Sequence, residues 1–231
     1  MKRSGYVCAS FAIVLLLSAL SAGCSKSSTG PAGPAGGYVM QFQYKNYPSG
    51  SYIGVTDTGM DSLNSNVNYS DFTTFSIGYS STGSEKDRYI IRYDLSSVIP
   101  DNVKVTAAYF TINVDALNGS NAYLIYPLTA SFVQTTATWN DRAAATPWTT
   151  PGGDYSAVPK SNTVAISALG KFTFTLDTAM VQGWITDPAG NYGMMIMATN
   201  ESSGDNVANL DYDANATASD RPLLTIYYTL P

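Results

Sequence analysis

From Tyr38 onward the chain alternates apolar and polar residues in short runs, broken by clusters of Gly, Asn, Asp, Ser and Pro. In "AAYFTINVD", Phe110, Ile112 and Val114 fall on one side and Tyr109, Thr111 and Asn113 on the other. A period of two turns one face of a strand to a core and the other to water. "FTFTL", residues 172–176, repeats it. The pattern predicts strands over 38–45, 52–58, 72–79, 88–95, 103–115, 121–128, 131–138, 163–167, 171–177, 192–199, 207–213 and 222–229. One short helix is predicted over 178–185, in "DTAMVQGWI". There Asp177 or Thr178 can cap the first turn, and Met180, Val181 and Trp184 share a face. So many short strands with turns between them predict an all-β fold, an antiparallel β-sandwich of jelly-roll type.

The first residues follow another pattern. Lys2 and Arg3 precede the apolar run "FAIVLLL", which is too short to span a bilayer. "LSAGCS" follows, with small residues directly before Cys24. This order predicts a lipoprotein signal peptide over 1–23, cleaved before Cys24, whose thiol then carries lipid. Ser21 stands where Leu is commoner in such signals. Several acyl chains on one residue anchor stably where a single chain does not. Ser25 after the anchor predicts, in a bacterium with two membranes, sorting to the outer membrane or cell surface. Residues 24–37, with Gly-Pro-Ala twice, form a tether, too short for a collagen-like helix. The domain is expected over 38–231, without a disulfide, because Cys8 leaves with the signal.

Composition removes several function classes. Net charge is −5 and the 12 Lys and Arg are scattered, so no basic patch faces a phosphate backbone and nucleic acid is not an expected partner. The chain has no His, which excludes a Ser-His-Asp triad and His-ligated zinc. Glu85 and Glu201 are its only glutamates, and no carboxylate pair of glycosidase type is recognisable. The expectation is a protein that is not an enzyme. Only 13 % of residues are charged, so hydroxyls and amides hydrate the surface, as in extracellular β proteins.

Several motifs come in a definite order: "RYIIRYDLS", "TATWNDR", "VQGWITDPAGNYG" and "SDRPLLTIYY". Together they resemble the DNRLRE domain, also classed as carbohydrate-binding module family 96, over roughly residues 52–229. The resemblance implies a jelly-roll sandwich on a secreted protein, without catalysis, binding polysaccharide, alginate among the ligands. This chain departs from the pattern at Ala143, where a Pro often follows the Arg of the Trp-Asn-x-Arg motif. Trp139 and Trp184 match framework positions of the family, which implies packing.

The candidate site residues follow from chemistry. Trp148 lies between Pro147 and the Pro/Gly-rich "TTPGGDYSAVP". Two readings stand for it: a solvent-facing platform for a sugar ring, or a plug in the open end of the sandwich. Tyr155 lies in the same segment. Arg88, Arg92 and Arg142, with Lys86, offer partners for uronate carboxylates. For Arg92 the plainer reading is an ion pair with Asp94 on one strand face. Calcium is the cation that suits the acidic loops, since it takes six to eight oxygens. One cluster holds Asp57, Asp61 and Asp71; the other holds Asp205, Asp211 and Asp213. Asp and Asn are also turn formers that bond their own backbone, the competing reading for both. The partners expected are a polysaccharide, acidic in kind, and a membrane through the lipid alone. The alternative is a structural or assembly subunit of the envelope, its aromatics buried against another protein.

Overall fold

The computed structural model describes residues 37–96 and 98–231. The expected signal peptide, Cys24 and nearly all of the tether lie outside them. Thirteen strands follow in order. The first six are β1 (Tyr38–Phe42), β2 (Val55–Asp61), β3 (Thr74–Ser80), β4 (Glu85–Tyr93), β5 (Lys104–Asn118) and β6 (Asn121–Pro127). Then come β7 (Asp141–Ala143), β8 (Thr146–Pro147), β9 (Val164–Ile166), β10 (Gly170–Thr175), β11 (Met194–Ala198), β12 (Asn206–Asp211) and β13 (Leu223–Thr229). The one α-helix among the described residues, α1, spans Thr178–Thr186.

The fold is all-β, antiparallel and sandwich-like. Eleven strands join one sheet in the order β1-β13-β5-β12-β3-β4-β11-β6-β9, with β10 along β5 and β2 along β4. Two strands make the sheet curl. β5 gives one edge first to β13 and then to β12, and the other edge to β10. Register shifts at Asn209/Leu210 and Tyr227/Tyr228 bend it there. β4 likewise passes one edge from β3 to β11 while β2 lines the other. The inner faces close on a core that includes Phe42, Ile77, Tyr89, Ile91, Phe110 and Phe174. Helix α1 starts where the Asp177 carboxylate accepts from Ala179 N and Met180 N, at 2.8 and 3.2 Å. It turns Val181, Trp184 and Ile185 into that core.

β4 is buried on both faces, because the segment 129–157 lies across its outer side. Ile90 on β4, Met60 on β2 and Met195 on β11 meet Phe132, Ala137 and Trp148 from that segment. The strand expected over 131–138 does not form. Thr136 N and Ala137 N bond back to Val133 O at 3.1 and 2.8 Å, and Asn68 Nδ2 takes up Gln134 O and Ala137 O. With its polar backbone satisfied by turns and a side chain, the segment has no need of a sheet partner. β2 runs three residues later than expected. "TGMD" resembles a turn, but Gly59 sits in the strand because a Cβ there would strike the Phe75 ring and the Tyr212 hydroxyl.

Candidate functional site

Alternation along β4 sends Lys86, Arg88 and Ile90 to the outer face and Glu85, Asp87 and Tyr89 to the inner one. Two chemically distinct places result.

The outer one is an open groove of about 770 Å³, lined among others by Lys86, Arg88, Trp139, Thr150, Asp154 and Tyr155. Arg88 organises it. Its guanidinium lies 4.9 Å from the Trp139 ring centroid and 5.5 Å from that of Tyr155. Nε and Nη2 donate to the two Glu201 oxygens at 2.9 and 2.7 Å, and Nη1 donates to Gly152 O at 2.7 Å. Gly152 has φ +92°, and a Cβ there would stand 2.7 Å from the Trp139 ring and 2.8 Å from Arg88 Nη1. Only glycine lets this loop close over the stack. Asp154 shapes the far wall by accepting from Thr149 N and Thr150 N at 3.0 and 3.1 Å.

Of the two readings of Trp148 the buried one holds, while Trp139 departs from its expected place. Trp148 is 3 % exposed and packs in the outer cluster, with Nε1 donating to Thr138 O at 2.9 Å. It is a plug, and it cannot stack on a ligand. Trp139, expected in the core, is only half-buried and lines the groove. Trp184 is buried, as expected. Of the proposed ligand residues, Arg88 and Tyr155 come together and the other arginines do not join them. Arg92 lines a separate hollow with Asp94 and Asn191. Asp94 accepts from Ser96 N and Oγ rather than from Arg92, because the strand ends at Tyr93. Arg142 donates to Ser131 O at 3.3 Å and ties the covering segment to itself.

The acidic residues regroup in the same way. Asp61 meets Glu85 and Asp87, with one carboxylate oxygen from each within 4.8 Å of the others. Asp71 is exposed and outside this group. Asp57 turns inward and faces Asp213 instead. Its Oδ2 accepts from the Tyr89 hydroxyl and, at 3.0 Å, from Asp213 N. Asp205 is a turn residue, accepting from Ser81 N and Oγ at 2.7 and 2.8 Å. Asp211 is held by the amides of Asn113 and Asn215 at 2.8 and 2.6 Å. Neither expected triplet exists, because strand pairing decides which carboxylates meet. Glu85, Asp87 and Glu201 were not foreseen; the only hint was the spacing of Glu85 and Asp87 on one strand face.

Electrostatics separate the three acids. Burial pushes Asp87 up to about 8, with Glu85, Asp61 and Glu201 adding to it. Glu85 is raised by burial and by Asp61. Burial raises Asp61 too, but the donors from Asn64, Tyr69 and Leu63 outweigh it, so this carboxyl lies below its ordinary value.

No protein-family model matches the chain, and no curated protein matches it.

Proposed function

We propose that the protein is a non-catalytic polysaccharide-binding module of the DNRLRE kind, held at the outside of a bacterial membrane by lipid on Cys24. The observation that supports this most is the stack of Trp139, Arg88 and Tyr155 on the wall of an open groove. The C–H-rich faces of sugar rings pack on aromatic side chains, while hydroxyls need polar partners in fixed positions. The ion pair with Glu201 fixes Arg88, and Arg88 fixes the rings, so little ordering remains when a sugar docks. Lys86 is the unpaired cation of the groove, while the Asp154 carboxylate there is taken up by backbone N–H groups. No carboxylate among the described residues pairs with it, which suits a uronate.

The test is retention on immobilised polysaccharides, acidic ones such as alginate beside neutral glucans. The wild-type chain should be retarded by the acidic ones, with Trp139→Ala and Lys86→Ala eluting early. Passage through every glycan without delay would overturn the reading and leave a structural role in the envelope.

A further inference from the structure

We propose that Asp61, Glu85 and Asp87 form a calcium site. The register of β2 on β4 sets Asp61 directly opposite Asp87. Glu85 stands two residues before Asp87 and therefore on the same face. Ionised together, like charges directly across a ladder destabilise a sheet, and a cation between them removes that cost. Among the described residues no Lys or Arg pairs with any of the three. The neighbouring cations, Lys86 and Arg88, point to the opposite face of the strand.

A second observation points to a ligand. Asp87 is 4 % exposed, and its Oδ1 is buried with no hydrogen-bond donor. Buried carboxylate oxygens otherwise find partners. The orphaned side chain is one of the three converging carboxylates, which line a pocket of about 310 Å³ with Tyr69, Ser76 and Asn209. The pocket has room for coordinated water beside the carboxylates.

The donor chemistry selects the ion. Every group is oxygen, which disfavours zinc and its preference for nitrogen and sulfur. Oxygens within 4.8 Å of one another can be bridged by two calcium–oxygen bonds of about 2.4 Å. Magnesium, with bonds near 2.1 Å and strict octahedral geometry, fits such a set less well. Asp61 is already aimed. Its Oδ1 accepts from Leu63 N and Asn64 N at 2.6 and 3.1 Å, and its Oδ2 from Asn64 Nδ2 and the Tyr69 hydroxyl at 2.7 and 2.8 Å. On binding, the Tyr69 hydrogen rotates away and frees a lone pair of Oδ2 for the metal.

The site also reaches the groove. Asp61 holds the start of the loop over 62–72, and that loop holds the covering segment. Asn68 Nδ2 donates to Gln134 O and Ala137 O at 2.7 and 2.6 Å, and Asn140 N donates to Ser65 O at 3.1 Å. Trp139 stands between these two anchor points in sequence. Calcium would therefore stiffen the wall of the groove as well as β4.

The experiment is thermal unfolding of the full chain after treatment with a chelator, with CaCl₂ or MgCl₂ added back, beside the variants Asp87→Asn and Glu85→Gln. A ligand specific to the native state raises the melting temperature, by about 5 °C or more at a hundredfold excess over Kd. Calcium should do so for the wild type, magnesium should do less, and both variants should lose most of the response. Glu85 is half-buried, so its variant keeps the test open if Asp87→Asn fails to fold. No calcium shift in the wild type overturns the site. So does an equal response to the two ions, or an undiminished shift in Glu85→Gln.

Discussion

Arg88 and Glu201 lie 113 positions apart in the chain and meet in a two-point ion pair, with side chains only 10 % and 13 % exposed. Breaking a buried pair leaves one charge without a partner, a loss of about 3 kcal/mol or more. Glu201→Ala should lower stability by that order in urea denaturation, because the guanidinium remains between two rings with nothing to neutralise it. A loss below about 1 kcal/mol would be that of a solvated surface pair and would contradict this geometry.

The two tryptophans of the covering segment should separate stability from the proposed binding. Trp148→Ala empties a buried site in the outer cluster and should cost about 3–5 kcal/mol. Trp139→Ala removes a half-buried ring and a cation–π contact, and should cost distinctly less stability while abolishing retention on polysaccharide. Equal stability losses, measured by denaturant titration, would contradict the assignment of Trp148 as plug and Trp139 as wall.

Stability should fall as pH rises, through Asp57 and Asp213. Burial, then the Asp213 charge, raises Asp57 well above the ordinary carboxylate range. Burial pushes Asp213 up to about 6, although Asp57, Arg221 and Lys45 draw it down. The buried Asp57 Oδ1 has no donor, and a proton there, shared with Asp213, satisfies it. Tyr89, Tyr93 and Tyr212 complete the surroundings and stay neutral, since burial raises all three. The folded chain thus binds the proton more tightly than the unfolded chain. This contribution is full below about pH 4 and declines above it until the pH passes the raised value of each folded carboxyl, about 6 for Asp213. Asp57→Asn should flatten the fall in melting temperature between pH 4 and pH 7. An unchanged slope in that variant would refute the shared proton.

The proposed lipid anchor rests on a single thiol, that of Cys24. Cys24→Ala should free the protein from membranes or leave the signal uncleaved, as read by detergent-phase partitioning and mass. A processed, detergent-phase Cys24→Ala protein would show that the anchor lies elsewhere.

The sequence by itself determined the fold class. Period-two alternation in "AAYFTINVD" and "FTFTL" and the capped "DTAMVQGWI" depend on near neighbours, and β5, β10 and α1 form where those signals stand. What it could not decide is which face a residue presents and which distant strand lies beside it. "SFVQTTAT" carries strand-like residues, yet Asn68, from another loop, satisfies its carbonyls and Phe132 docks on the outside of the sheet. Trp139 and Trp148 are alike in composition and setting, and only the path of the covering segment buries one and half-exposes the other. The acids show the same limit most plainly. Asp57, Asp61 and Asp71 are close in sequence, but the register of β2 on β4 brings Asp61 to Asp87, and Asp57 turns to Asp213 from the far end of the chain. Strand pairing is a long-range choice made by burial of the whole sheet, so no local pattern encodes it.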